Sequence, residues 1–211
     1  MIIGIGGSHS GAGKTTAAAA LLRCLSTKEQ KFRSLKRQNS GTKKESFCTS
    51  ELPNFRTHAP MGHGWGAIKY TKTAIYTSII DDPETLTQES KDTARLINAG
   101  AEKVLWVQSP PEELKEVLPM AVDRLSNLRG IIVEGNSAIE FLKPDIVIFV
   151  SGRHGGTLKK SAERVLETAD IILFQDEPSM KLPERAKKIK IDFSSVSQFD
   201  KCINYIQRLL I

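Results

Sequence analysis

The sequence predicts an α/β fold in three layers with a mainly parallel sheet. Short apolar runs rich in β-branched residues alternate along the chain with longer segments that have a helical pattern. The strand-like runs are apolar throughout, which is typical of strands that are buried on both faces. In a chain where such strands alternate with helices, the strands form a parallel sheet and the helices cover it.

The first half of the chain gives clear signals for four elements. Ile2–Gly6 is a short apolar run that predicts the first strand, and Lys14–Leu25 is rich in Ala and Leu, which predicts a helix. Gly66–Tyr70 predicts another strand. Thr87–Asn98 has a helical pattern, and Gly100 is a typical stop for it.

The second half continues the alternation to the end of the sequence. The predicted strands are Val104–Gln108, Gly130–Glu134, Asp145–Val150, Ile171–Gln175 and Ile189–Phe193. The predicted helices are Pro111–Leu125, with Pro119 as the site of a kink, Leu158–Thr168 and Val196–Leu210.

Residues 28–64 interrupt this alternation, because they are polar, basic and irregular. Phe32–Leu35 is a candidate for one short strand within them. We interpret the segment as an insertion in a single domain of residues 1–211, since connections of this length are usually functional or flexible. Cys48, His58 and His63 are metal-ligand types within it, but their spacings match no compact zinc motif, and unpaired loop residues are the favoured interpretation.

Composition limits the classes of protein to which the chain can belong. No run reaches about 18 apolar residues, and the first residues are typical of a buried strand, so we expect a cytoplasmic protein without a membrane partner. The cysteines Cys24, Cys48 and Cys202 are scattered and odd in number, which indicates free thiols in a reducing compartment.

The formal net charge of +6 is concentrated in residues 28–44, where seven Lys and Arg residues face only Glu29. A solvated basic surface is one interpretation, and a contact for phosphates or for an acidic partner is the other. Phe32 is the one aromatic residue among these basic residues, so we do not expect the segment to bind nucleic acid.

Residues 7–16 fit the pattern of a phosphate-binding loop. Gly13, Lys14 and Thr15 match the second half of G-x-x-x-x-G-K-[ST], while Ser8 takes the place of the first glycine, directly after Gly7. Backbone N–H groups can converge on phosphates only where bulky side chains are absent, and the following helix points its N-terminus at them. The expected phosphate-binding residues are Ser8, His9, Ser10, Gly11, Ala12, Gly13, Lys14, Thr15 and Thr16.

This loop lies between a strand and a helix at the start of an α/β chain, so the predicted fold is that of a P-loop NTPase. Lys14 is expected to reach the β- and γ-phosphates of GTP or ATP, and the Thr15 hydroxyl is expected to bind Mg²⁺. His9 either contacts a phosphate or faces solvent.

Glu134 follows three buried β-branched residues at the carboxyl end of a predicted strand, where such sheets bind ligands. A carboxylate at this place is expected to orient Mg²⁺ or the attacking water, and a surface acid is the alternative interpretation. Asp145 is a weaker candidate because it begins a strand. Asp176 follows a strand end and is a candidate for reading the base, but no Asn-Lys-x-Asp motif is present, so GTP and ATP both stay open.

Five segments occur in an order that is known from one protein family. They are Gly7–Thr16, Ala67–Thr71, Lys91–Thr93, Ala99–Ala101 and Val133–Gly135. In this order they resemble the molybdopterin-guanine dinucleotide biosynthesis protein B (MobB) family, over roughly residues 1–25 and 65–150. The chain has Tyr70, Lys72 and Thr73 where that family usually has histidines, and Asn136-Ser137 where it usually has Phe-Lys.

The MobB family is a GTPase-like P-loop group that assists the attachment of a guanine nucleotide to molybdopterin. The resemblance implies a slow Mg²⁺-dependent hydrolase that acts as an accessory factor in cofactor maturation, with an enzyme of molybdenum-cofactor synthesis as its partner. It also implies that Lys69 and Asp92 lie in a mobile region facing the γ-phosphate. Lys69 would contact substrate phosphate and Asp92 would help to bind Mg²⁺, the alternatives being a surface lysine and a helix N-terminal acid.

Two other functions remain open at this level. A small-molecule kinase would transfer the γ-phosphate to an anionic metabolite held by Arg153, which follows a strand end, or by the basic insertion. A non-catalytic switch would use the nucleotide only to order residues 28–64 for a partner. Whether the chain forms a homodimer is also left open.

Overall fold

The structure is a computed structural model that describes residues 1–39, 64–152, 158–193 and 199–209. The described strands are β1 Ile2–Gly7, β2 Trp65–Lys72, β3 Ser78–Ile80, β4 Lys103–Ser109, β5 Gly130–Glu134, β6 Ile146–Ser151, β7 Ile171–Phe174 and β8 Lys187–Lys190. They form one sheet in the order β3-β4-β2-β5-β1-β6-β7-β8. All neighbouring pairs are parallel except β3 and β4. The prediction of an α/β fold with a mainly parallel sheet is confirmed.

The helices lie on both faces of this sheet. They are α1 Lys14–Asn39, α2 Pro83–Leu86, α3 Asp92–Asn98, α4 Leu114–Asp123, which follows a 3₁₀ turn at Pro111–Glu113, α5 Asn136–Leu142, α6 Lys160–Thr168 and α7 Phe199–Leu209. Buried side chains of α1, α3 and α7 pack on one face, and those of α4, α5 and α6 pack on the other, which is consistent with a three-layer fold. None of the described helices has the length and apolarity needed to span a membrane.

Helix α1 corrects the prediction for residues 28–64. The proposed strand at Phe32–Leu35 is wrong, because the helix that begins at Lys14 continues to Asn39. The sequence between these residues contains neither Gly nor Pro and is rich in Ala, Leu, Lys, Arg and Gln, which favour a helix. Cys48, His58 and His63 lie outside the described residues.

Three further predictions need correction. The helix predicted from Thr87 begins only at Asp92, and the last strand lies at Lys187–Lys190 instead of Ile189–Phe193. Asp145 serves the fold, because its carboxylate accepts a hydrogen bond of 2.7 Å from the backbone N–H of Ile2. It thereby helps to hold the chain before β6 next to β1.

Strand β1 has a position that determines where a ligand can bind. Its neighbours are β5 on one side and β6 on the other, whereas the chain leaves β1 for β2, which lies beyond β5. The strand order therefore changes direction at β1, and open α/β sheets bind ligands outside the carboxyl ends of the strands at such a point. The β1–α1 loop and the end of β5 meet at this edge.

The cysteines that the structure describes are buried. Cys24 is 8% exposed and Cys202 is fully buried. Burial, together with the nearby Cys24, raises the pKa of the Cys202 thiol to about 12, so this side chain is a core thiol at neutral pH.

Gly130 gives a test of how tightly the sheet is packed. A Cβ atom at this position would lie 2.5 Å from Cζ3 and 2.8 Å from Cη2 of the buried Trp65. We expect Gly130→Ala to lower the free energy of unfolding by about 1–3 kcal/mol, since overpacking forces neighbours out of place. Urea unfolding measures the change, and Ser126→Ala in the exposed preceding turn is expected to stay within about 0.5 kcal/mol of the parent. Equal stability of the two variants would contradict the packing.

Candidate functional site

The loop between β1 and α1 is shaped by its glycines. Gly11 and Gly13 have φ angles of 83° and 97°, a left-handed conformation that side chains other than glycine rarely adopt. Gly7 is restricted by space instead, because a Cβ there would lie 2.9 Å from both Lys14 Cγ and the Val150 carbonyl oxygen. The loop can therefore bend tightly over the end of β1 and bring successive backbone N–H groups toward one side.

Ser8 and His9 attach this loop to the neighbouring strand β6. The backbone N–H of Ser8 donates to the Val150 carbonyl at 3.1 Å, and its Oγ accepts a hydrogen bond of 2.9 Å from the N–H of Gly152. The same Oγ lies 2.8 Å from Nδ1 of His9, whose ring packs against Gly152. Ser8 is only 5% exposed, so a hydroxyl in place of the usual first glycine has a structural role here. His9 is half-buried and directed along the loop toward Ser8 and Gly152.

Asn136, the first residue of α5, holds the other side of the loop. Its Oδ1 accepts from the N–H of Gly7 at 2.9 Å, and its Nδ2 donates to the carbonyl of Gly7 at 3.0 Å. One amide side chain thus satisfies both backbone groups of a buried residue. The sequence reasoning missed this role and treated Asn136 only as a departure from a family pattern; its place directly after Val133-Glu134-Gly135 was the available signal.

We expect Asn136→Ala to lower the free energy of unfolding by about 1–3 kcal/mol, because it leaves the buried N–H of Gly7 without its partner. Chemical denaturation measures this effect, and Ser137→Ala, which changes the adjacent half-exposed residue, serves as the control. A loss of unfolding free energy no larger than that of the control would show that the loop does not depend on the hydrogen bonds between Asn136 and Gly7.

Lys69 lies at the centre of a charged cluster next to the loop. Its position on β2 is paired in register with Glu134 on β5, and its Nζ lies 2.5 Å from Glu134 Oε1 and 2.6 Å from Asp92 Oδ2. Thr15 Oγ1 donates to the two Glu134 carboxylate oxygens at 3.0 Å and 2.9 Å, and lies 3.5 Å from the same Nζ. Glu134 is 1% exposed, so its charge depends on these partners.

The charges of this cluster stabilise one another. Burial acts to lower the pKa of Lys69, but attraction to Glu134 and the hydrogen bonds to Asp92 and Glu134 outweigh it and raise the pKa. Burial opposes ionisation of Asp92, yet its hydrogen bond to Lys69 and the charge of that lysine lower its pKa. The cluster therefore places the ammonium group of Lys69 between the side chains of Glu134 and Asp92. Lys69 lies in β2, and Asp92 is the first residue of α3.

Lys14 lies across the loop, and its Nζ donates a hydrogen bond of 2.7 Å to the His9 carbonyl. Burial lowers its pKa, with Glu134 opposing the shift and Lys69 adding to it. The nearby Thr16 hydroxyl accepts a hydrogen bond of 2.7 Å from Arg95 Nη2. Two basic side chains, those of Lys14 and Arg95, therefore lie at the first turn of α1 in addition to the cluster around Lys69.

These groups line one open cleft of about 790 Å³ at the carboxyl edge of the sheet. The cleft is lined by the predicted loop residues other than Ala12, which is buried, together with the ends of β2 and β5 and the start of α3. Its charged lining residues are Lys14, Lys69, Lys72, Asp92, Arg95, Glu134 and Lys159. Basic side chains outnumber acidic ones, and the volume lies in the range of small-molecule and cofactor sites, so the cleft suits an anionic ligand.

Three oxygen-bearing side chains would be available to Mg²⁺ in this cleft, namely Thr15, Glu134 and Asp92. Hydroxyl and carboxylate oxygens are the ligands that Mg²⁺ prefers, so the donor set fits this ion. Lys69 Nζ lies among these same oxygens, at 2.5–3.5 Å. Within the described residues no three His, Cys, Asp or Glu side chains form a metal site, so Thr15 and ligand oxygens would have to complete the shell.

Asp176 is exposed just after the end of β7, and Arg153 lies outside the described residues. Compared with known proteins, the sequence matches no protein-family model and no curated protein.

Proposed function

We propose that this chain is a P-loop protein that binds a nucleoside triphosphate with Mg²⁺ and hydrolyses it slowly. The observation that supports this most strongly is the convergence of a glycine-shaped loop, Lys14, Thr15 and Glu134 in one basic cleft. Glycine-rich loops that precede a helix N-terminus are suited to phosphate groups.

Each residue would have a distinct role toward the triphosphate. The loop N–H groups and the N-terminus of α1 would stabilise the phosphate charge, and Lys14 would use the donors not taken by the His9 carbonyl. Glu134 would hold the Thr15 hydroxyl in place and orient either the metal shell or the attacking water. Mg²⁺, when bound by Thr15, Glu134 and Asp92, would supply positive charge against the phosphate oxygens.

The resemblance to the MobB family extends this proposal to a biological role. It supports an accessory role in cofactor maturation, with the molybdenum cofactor as the pathway and an enzyme of that pathway as partner. Both GTP and ATP fit the proposal, since the residues that support it would contact the phosphates and not the base.

A second candidate is a small-molecule kinase that uses the same loop. A separate cavity of about 120 Å³ favours this function, because it shares Lys69 and Asp92 with the phosphate cleft. A second substrate bound there would lie beside the groups proposed to contact the γ-phosphate.

Phosphate release from GTP and from ATP tests the proposal and separates it from its alternatives. If the protein is a hydrolase, it releases phosphate slowly without any added metabolite. This release needs Mg²⁺ and stops with excess EDTA. Release of ADP only after one metabolite is added would favour the kinase, and binding without turnover would favour a switch. Absence of both binding and turnover would refute all three.

A further inference from the structure

A row of three side chains crosses the sheet at the edge of the phosphate cleft. Lys69 on β2 is paired in register with Glu134 on β5 and with Trp106 on β4. Lys69 therefore separates two regions: the carboxylate and loop on the β5 side, and the indole on the β4 side. The small cavity of about 120 Å³ lies on the β4 side, and its lining residues are Lys69, Thr71, Lys91, Asp92, Thr93 and Trp106.

The cavity is lined by two ammonium groups, those of Lys69 and Lys91, and by one carboxylate, that of Asp92. Trp106 Nε1 donates to Thr71 Oγ1 at 3.0 Å, so the Thr71 hydroxyl still has its own proton to give. Thr93 has already given its proton to the Leu86 carbonyl at 2.8 Å, and the Asp92 carboxylate is bound by Lys69. Cationic lining groups thus outnumber the anionic one, and the Thr71 hydroxyl keeps a proton to donate, so the cavity favours an anionic occupant that accepts hydrogen bonds.

Lys91 is fixed at the mouth of the cavity. Its Nζ lies 4.9 Å from the centroid of the Trp106 ring and 3.3 Å from the Thr85 carbonyl, to which it donates. The hydrogen bond to Thr85 uses one of its three ammonium protons, and the cation–π contact holds the ammonium against the indole, so it can still donate to an occupant. The volume holds about four water molecules, so only a compact group can enter.

We propose that this cavity binds the carboxylate of a small organic acid, held by Lys91 and the Thr71 hydroxyl against the Trp106 indole. The binding itself does not depend on a nucleotide. The role of that acid as the second substrate, placed beside the phosphate cleft through Lys69 and Asp92, rests on the proposed function in its kinase form.

The two indole N–H signals in a ¹H–¹⁵N NMR spectrum offer a direct test, because Trp106 lines the cavity and Trp65 is buried in the core. Trp106→Phe assigns the signals. Sodium malonate is the probe, with sodium sulfate and sodium phosphate at equal ionic strength as comparisons. The proposal predicts a saturable shift of the Trp106 signal with malonate, a weaker response to the other two anions, and a constant Trp65 signal.

Lys91→Met is expected to raise the malonate Kd at least tenfold, since a charge-assisted hydrogen bond is lost. Thr71→Val provides a second test, and Lys103→Met, which removes an exposed lysine at the start of β4, is expected to leave the Kd unchanged. An unchanged Trp65 signal shows that each variant is folded. No malonate response, an equal response to sulfate or phosphate, or an unaltered Kd in both cavity variants would overturn the proposal.

A titration of the wild-type protein with Mg²⁺ and GTP or ATP keeps the two proposals separate. Malonate binding without nucleotide binding would leave the cavity assignment standing and remove its role as a second-substrate site. Nucleotide binding without a malonate response would overturn the cavity assignment and leave the proposed nucleotide site standing.

Discussion

Replacing Lys14 by alanine is expected to reduce the rate of triphosphate hydrolysis by at least about 100-fold. For a slow enzyme, this decrease would bring the rate to the background level. Loss of a single preorganised group that stabilises developing negative charge commonly costs about 10²–10³ in rate. Under the proposed function Lys14 would be such a group, because its ammonium is held across the loop by the His9 carbonyl. Phosphate release at saturating Mg²⁺ and nucleotide measures the loss.

The matched control for this variant is Lys72→Ala. Lys72 is an exposed lysine at the rim of the same cleft, so its removal changes the net charge equally without touching the loop. We expect a decrease of no more than a few-fold, through weaker electrostatic attraction of the nucleotide. If Lys14→Ala binds and hydrolyses nucleotide as well as the wild type, the assignment of the site fails.

Replacing Lys69 by methionine is expected to cost about 3 kcal/mol of unfolding free energy in the absence of Mg²⁺. The side chain of Glu134 is 2% exposed and that of Lys69 is 16% exposed, so the variant leaves a buried carboxylate without its cation. Methionine keeps most of the volume, which limits the loss from packing. Urea unfolding in EDTA measures the effect, and Lys72→Met on the same strand is the control.

The effect of added Mg²⁺ on stability provides a further test of this second prediction. In the wild type the ammonium of Lys69 already lies among Thr15, Asp92 and Glu134, whereas in the variant a metal ion can take its place. Mg²⁺ at about 100 times its Kd would then raise the unfolding free energy of the variant by about 2.7 kcal/mol and that of the wild type by less. An equal effect of Mg²⁺ on both proteins would argue against these oxygens as the metal site.

The parallel core of the sheet was predictable because its strands are continuous apolar runs. The missed elements lack that signal. Strand β3 has three residues, and α5 has seven, directly after Gly135. Strand β8 buries only Ile189 among exposed lysines, as sheet edges often do, so the apolar pattern placed it too late in the chain.

The residues of the candidate site were predictable one by one, but their contacts were not. Lys14 and Thr15 follow from a local motif, whereas Lys69, Asp92 and Glu134 are far apart in the sequence. They meet because β2 lies next to β5 and because α3 begins beside β2, and that strand order is a property of the whole sheet. The hydrogen bonds between Asn136 and Gly7 depend on the same strand order.

Isothermal titration calorimetry of the full chain with GTP and with ATP tests the central claim most directly. Each nucleotide is titrated once with Mg²⁺ and once with excess EDTA, and Lys14→Ala is titrated beside the wild type. We predict saturable binding of at least one triphosphate at one site per chain, weaker in EDTA and at least tenfold weaker in the variant. Absence of binding by either nucleotide in Mg²⁺, or binding that is indifferent to Lys14, would contradict the claim.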